Sequence, residues 1–187
     1  MEFYPNRDSL SYISIYQVPE IRTIFRGTIR FPGWCKVWGI IGKSGWLSLD
    51  AVDTAGVSCR DLTARLAGLA GGDVKAAFVE KFKLAGQTEV VSKLEWMGLF
   101  DAAPINRGSL PPLDVLTDML MAKMYYKQGE RDMVVMFHDV LGEFPDGHRE
   151  RFTAQMVDFG VEGTETAVAR TVALPAAIAT RLLLEGK

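Results

Sequence analysis

Two apolar runs around Asp146-Gly147 constrain this chain most. Residues 132–140 read Asp-Met-Val-Val-Met-Phe-His-Asp-Val, and 151–159 read Arg-Phe-Thr-Ala-Gln-Met-Val-Asp-Phe. Both are rich in β-branched and aromatic residues, and Asp-Gly is a strong turn signal between them. The pattern predicts an antiparallel hairpin, so the chain is not all-helical. Elsewhere the apolar spacing is helical. Trp34, Val37, Trp38 and Ile41 recur on one face, with Gly42 as a stop. Leu62, Leu66 and Leu69 mark a second helix, Val74, Ala77, Phe78 and Phe82 a third, and Val90, Leu94 and Met97 a fourth. Another helix is expected from Leu113 to about Tyr125, and a short one from Ser9 to Tyr16 with Asp8 or Ser9 as its cap. After Gly163 we expect a small-residue helix to about Val172, capped by Thr164, and a separate helix starting at Pro175. The fold class is α+β: a mixed, partly antiparallel sheet with helices on one face and an all-helical insertion.

Residues 22–31, Arg-Thr-Ile-Phe-Arg-Gly-Thr-Ile-Arg-Phe, read as one further strand. Alternation places Arg22, Ile24, Arg26, Thr28 and Arg30 on one face and Phe25, Ile29 and Phe31 on the other. Three guanidinium groups on one strand need acidic partners, and their planar forks suit carboxylate or phosphate. Those partners are either a ligand or acidic residues of the chain itself; a solvated edge strand is the remaining reading. Arg7 lies upstream in Tyr4-Pro5-Asn6-Arg7-Asp8-Ser9.

The net charge of −2 argues against a general nucleic-acid or anionic-membrane binder, and no apolar run reads as a membrane span. The N-terminus lacks the pattern of a secretory signal. Cys35 and Cys59 form neither a CxxC pair nor a disulfide framework, and they stand apart from His138 and His148, so no metal site is expected. Gly39-Ile-Ile-Gly-Lys-Ser44 ends like a P-loop, but Val37 stands where the motif needs glycine. No stretch fits G-x-G-x-x-G. His138 falls inside a predicted strand, and His148 follows the hairpin turn. Trp34, Trp38, Trp46 and Trp96 read as packing residues of the helical part.

Five blocks taken together resemble the saccharopine dehydrogenase family. They are Tyr4-Pro-Asn-Arg-Asp-Ser9, Phe25-Arg-Gly-Thr-Ile-Arg-Phe31, Leu94-Glu-Trp-Met-Gly-Leu-Phe100, Gly129-Glu-Arg-Asp-Met-Val-Val-Met136 and Ala167-Val-Ala-Arg-Thr-Val-Ala-Leu-Pro175. The resemblance implies an enzyme of three parts: a Rossmann domain binding NAD or NADP, an α/β domain binding saccharopine and forming a homodimer, and an inserted helical domain. On that basis 1–32 and 113–187 belong to the α/β domain, 33–112 is the insertion, and the cofactor domain is absent from this chain. The isolated chain is then expected not to catalyse.

The resemblance also implies that Arg7 and Thr28-Ile29-Arg30 contact the substrate. Ile29 replaces the family's usual leucine. Saccharopine carries three carboxylates, which is what an arginine-bearing face would accept. No metal, nucleic acid or membrane partner is implied. The expected compartment is the cytoplasm, or the mitochondrion for an animal-type parent. Two alternatives stay open: a relative acting on another carboxylated amine, and a free-standing binding or dimerisation domain.

Overall fold

The computed structural model describes residues 1–187. The fold is α+β and divides into two compact units, Met1–Met124 and Tyr125–Lys187. Its three sheets are all two-stranded antiparallel ribbons, rather than strands of one mixed sheet.

In the first unit, β1 (Glu2–Pro5) pairs with β2 (Gly27–Arg30), with the short helix α1 (Ser11–Ile15) in the connection. Asp8 starts α1, as its carboxylate accepts the N–H groups of Leu10 (2.7 Å) and Ser11 (3.2 Å). Four longer helices follow: α2 (Trp34–Lys43), α3 (Cys59–Leu66), α4 (Val74–Lys81) and α5 (Thr88–Met97). A two-residue ribbon, β3 (Val52–Asp53) with β4 (Ser109–Leu110), precedes α6 (Pro112–Lys123). The helix ends follow ordinary capping chemistry. Ser58 and Asp61 form a capping box on α3, the Asp73 carboxylate caps α4, and Gly98 closes α5 in the left-handed conformation. Helix α2 runs through Gly42 to Lys43, so the Gly-Lys-Ser sequence is a helix end and not a phosphate loop.

These helices enclose one apolar core. Ile41, Phe78, Leu94 and Leu99 are fully buried, and α6 contributes Val115 and Leu116. The Phe78 ring packs against Phe82 at 4.5 Å and edge-on against Phe100 at 5.4 Å. Trp46 is the largest buried side chain and brings a polar N–H into this core. Thr63 resolves the conflict. The indole N–H donates to Thr63 Oγ1 (3.2 Å), and the hydroxyl donates onward to the Leu99 carbonyl (2.6 Å). A buried polar group left without such a partner costs 1–3 kcal/mol.

The second unit is a hairpin and a helix. Strands β5 (Met133–Glu143) and β6 (Arg149–Phe159) pair along their whole length, from Met133 opposite Phe159 to Glu143 opposite Arg149. The hairpin is longer than the sequence suggested, and Gly147 supplies the positive φ of 82° at its turn. Helix α7 (Ala167–Leu184) packs against β5 and runs unbroken through Pro175. That corrects the expectation of two helices. The cap is Thr166, whose side chain accepts from Ala169 N, and not Thr164. Pro175 withholds one N–H from the Thr171 carbonyl, yet strong helix formers on both sides carry the helix past it. At 18 residues and a mean hydropathy of 1.5, α7 has the length and composition to cross a membrane, contrary to the sequence reading that no run does.

The first turn of α7 is tied to the hairpin. The buried Asp132 carboxylate accepts the N–H groups of Ala167 (2.7 Å) and Val168 (2.8 Å). Arg170 grips Asp158 with two nitrogens, at 2.6–3.2 Å, and also donates to the Phe159 carbonyl. Burial alone would raise the Asp132 carboxyl. The Val168 and Ala167 N–H groups, with Arg170 nearby, outweigh it and hold the group below its ordinary value.

Two outcomes are expected. Thr63→Val keeps the side-chain shape but strands the Trp46 N–H and the Leu99 carbonyl; urea denaturation should show a loss of about 2–4 kcal/mol. The Asp132 anchor should be complete above the ordinary carboxyl value of 3.8 and be lost as pH falls through the lower folded value. Hydrogen exchange at Ala167 and Val168 reads this directly, and Asp132→Asn should remove the pH dependence at those two amides.

Candidate functional site

The candidate site is built on the β1–β2 ribbon. Antiparallel register sets Arg30 opposite Glu2, Ile29 opposite Phe3 and Thr28 opposite Tyr4. Side chains of directly opposed residues share a face. Thr28 and Arg30 therefore lie together with Tyr4 and Glu2, while Ile29 lies on the reverse face with Phe3. All three residues of β2 from Thr28 to Arg30 are half-buried.

The arginine ladder read from 22–31 is not realised. Only Gly27–Arg30 is strand, so of the three arginines only Arg30 belongs to the ribbon. The ladder stops because the backbone is diverted. Arg26 N–H donates to the Ser9 hydroxyl (3.1 Å), and its carbonyl accepts the Asn6 N–H (2.8 Å). The Arg26 guanidinium turns to Tyr12, donating to its hydroxyl at 2.7 Å. Arg7 follows this last rung, at the end of the ribbon away from Arg30. At about 3.3 Å per strand residue the two arginines flank a ribbon of roughly 10–13 Å. Arg7 is exposed, sits at φ 58° and makes no hydrogen bond or ion pair within the chain. A positive φ at a residue other than glycine costs about 1–2 kcal/mol.

Arg30 is held without being neutralised. Its Nη1 donates to the Ile29 carbonyl at 2.9 Å, and its Cζ lies 5.2 Å from the centre of the Trp34 ring. It makes no ion pair within the chain. Glu2, directly across the ribbon, is engaged elsewhere, since its Oε1 accepts the Cys35 N–H at 2.5 Å at the start of α2. That N–H is the main reason the Glu2 carboxyl titrates below its ordinary value. In return, the Cys35 thiol is pushed up by burial and then by the Glu2 carboxylate.

Glu2 and Tyr12 are residues of this neighbourhood that sequence reasoning did not single out, and Trp34 was read there only as a packing residue. Trp34 returns to Arg30 because Phe31-Pro32-Gly33 reverses the chain, with Gly33 at φ 88°. Beyond it lies an apolar cleft of about 320 Å³ lined by Phe31, Trp34, Trp38, Lys93, Trp96 and Met97. Trp96 is 53% exposed and Trp46 is buried, so the four tryptophans do not share one packing role.

The family model described as the saccharopine dehydrogenase C-terminal domain matches residues 1–187. The chain belongs to this family. It is 35% identical over 195 residues to the mitochondrial alpha-aminoadipic semialdehyde synthase of Bos taurus, covering all of this chain and 21% of that protein. It is 32% identical over 195 residues to saccharopine dehydrogenase [NADP(+), L-glutamate-forming] of Schizosaccharomyces pombe, covering 98% of this chain and 43% of that protein. The solved apo saccharopine dehydrogenase (L-Glu forming) of Saccharomyces cerevisiae superposes with a TM-score of 0.81 at 32% identity, over 98% of this chain and 43% of the other. The chain thus spans between about a fifth and somewhat less than half the length of these relatives.

The NADP(+) in the fungal names raises the question of a dinucleotide site. Such a site needs a parallel strand leading through a glycine loop into a helix. Every ribbon in this family member is antiparallel and two-stranded, and its residues do not form that cradle.

The Glu2–Cys35 contact gives a direct test. Glu2→Gln removes the carboxylate that opposes Cys35 ionisation, so alkylation of Cys35 above neutral pH should become faster. Buried Cys59 should stay unreactive in both proteins.

Proposed function

We propose that this chain is the substrate-binding part of a saccharopine dehydrogenase-type oxidoreductase of lysine metabolism. The activity of such an enzyme is oxidation of the secondary amine of saccharopine, followed by hydrolysis to glutamate and aminoadipate semialdehyde. The observation that carries the reading is Arg30. It is a half-buried guanidinium fixed by Trp34 and the Ile29 carbonyl, and it is left without a carboxylate partner.

Arg7, Thr28 and Arg30 act as the clamp in this reading. The two arginines take carboxylates at separated points of a long, flexible tricarboxylate. The Thr28 hydroxyl donates a hydrogen bond on the Arg30 face, and Ile29 contributes through its backbone. Fixing both ends of the substrate sets the reacting C–H in place, and orientation of this kind accounts for a large part of a barrier reduction. The nicotinamide cofactor, NADP in the names of the fungal relatives, is held by residues other than these.

The same reading assigns 1–32 and 113–187 to the substrate domain and 33–112 to a helical insertion. The pairing of Val52–Asp53 with Ser109–Leu110 supports this, since it draws the two halves of that helical stretch together. The α/β part also forms a homodimer, supported by the apolar side chains that β5, β6 and α7 leave exposed, among them Phe137, Leu141, Val157 and Val172. The compartment is the cytoplasm or, as for the bovine relative, the mitochondrion.

Saccharopine titrated into the chain and followed by calorimetry tests the clamp. Micromolar to millimolar affinity is expected, with binding lost in Arg30→Ala. Arg7→Gly should also lose binding while unfolding within about 1 kcal/mol of the parent, because relief of the left-handed backbone offsets glycine's extra unfolded freedom. A folded chain that shows no heat with millimolar saccharopine would overturn the reading.

A further inference from the structure

We propose that Trp34 is a positioning residue for the anion clamp: it holds the Arg30 guanidinium flat on its ring and aims the free edge of the fork at a ligand carboxylate. The proposal rests on the clamp reading above and goes beyond it by naming what orients the clamp.

Four observations converge on Trp34. Its ring centre lies 5.2 Å from Arg30 Cζ, within the range of a cation–π contact. The Ile29 carbonyl occupies one nitrogen, Nη1, at 2.9 Å. A carbonyl at one corner and a ring facing Cζ together restrain the guanidinium, and its remaining N–H groups stay unspent. Glu2, the one carboxylate in register with Arg30, is tied to the Cys35 N–H. Cys35 is the next residue after Trp34, so the same helix start both supports the guanidinium and draws its natural competitor away.

Trp34 is itself held in place. It opens α2 immediately after the left-handed Gly33, and its N–H donates to the Phe31 carbonyl at 3.3 Å. Trp38, one helical turn on, packs against it at 5.4 Å. Lys93 pins the turn from outside by donating to the Pro32 carbonyl at 3.1 Å. The ring is therefore a rigid shelf, and an arginine resting on it loses little further freedom when it meets a carboxylate.

The experiment compares the chain with Trp34→Leu and Trp34→Tyr, using saccharopine as the probe and the Arg30 Nε–Hε resonance as a second readout. In the parent that proton should be shifted upfield by the ring, the assignment being made by its disappearance in Arg30→Lys. In Trp34→Leu the upfield shift should vanish, and the dissociation constant should rise roughly three- to tenfold, the range a cation–π contact supports. Trp34→Tyr keeps an aromatic shelf and should restore both. Unchanged affinity in Trp34→Leu with a parent that binds overturns the proposal, as does a Trp34→Tyr variant as weak as Trp34→Leu. A parent that does not bind saccharopine removes the clamp reading, while the Arg30 signal still decides whether the ring holds the guanidinium. An unshifted signal there overturns the positioning role independently.

Discussion

The three-residue turn after β2 is the constraint on which the site depends. Gly33 takes φ 88°, and a Cβ there would lie 2.8 Å from Lys93 Nζ. Glycine suits this left-handed backbone, which a side chain would strain, and leaves room for the end of that lysine. The turn converts an extended ribbon into α2 within three residues, so Trp34 and Cys35 arrive beside Arg30 and Glu2, their neighbours in the ribbon. Without it the ribbon would hold an arginine and a glutamate face to face, and the pair would neutralise each other.

The two units solve the problem of buried polarity in the same way. Thr63 relays a hydrogen bond between the Trp46 indole and the Leu99 carbonyl inside the helical core. Asp132 takes two helix-terminal N–H groups inside an otherwise lightly packed hairpin and helix. Gly160 belongs to that second solution, because a side chain there would collide with the Asp132 carboxylate. In each unit one short polar side chain fixes the relation between two elements that apolar packing alone leaves loosely specified.

Much of this was legible in the sequence. The hairpin and the helices of the core show in their apolar spacing, whereas the α7 cap falls at Thr166 and not at the predicted Thr164. Of the shorter strands, β2 was read within 22–31 but with too long a span, and β3 and β4 were not read at all. Two to four residues are too few to show alternation, and β1 finds its partner only after an excursion that includes α1. The ladder from 22 to 31 failed because Ser9 and Asn6 claim the backbone of Arg26, which no local pattern reveals. Pro175 misled because a proline weakens a helix without being obliged to end it. The proposed clamp residues came from the family resemblance and not from any local pattern. The partnership of Trp34 with Arg30 was not legible, since it depends on the handedness of one glycine.

The modest length of the β1–β2 ribbon carries a thermodynamic consequence. Helices α2 to α6 share one buried core, whereas the ribbon contributes no fully buried side chain and holds by four paired positions. The arginine site therefore stands on the part of its unit that opens most readily, at a cost below that of global unfolding. Opening and ligand capture are then linked equilibria. A polyanion that bridges the two ends of the ribbon stitches it closed, so occupancy of the site would register as slowed hydrogen exchange in strands it need not touch.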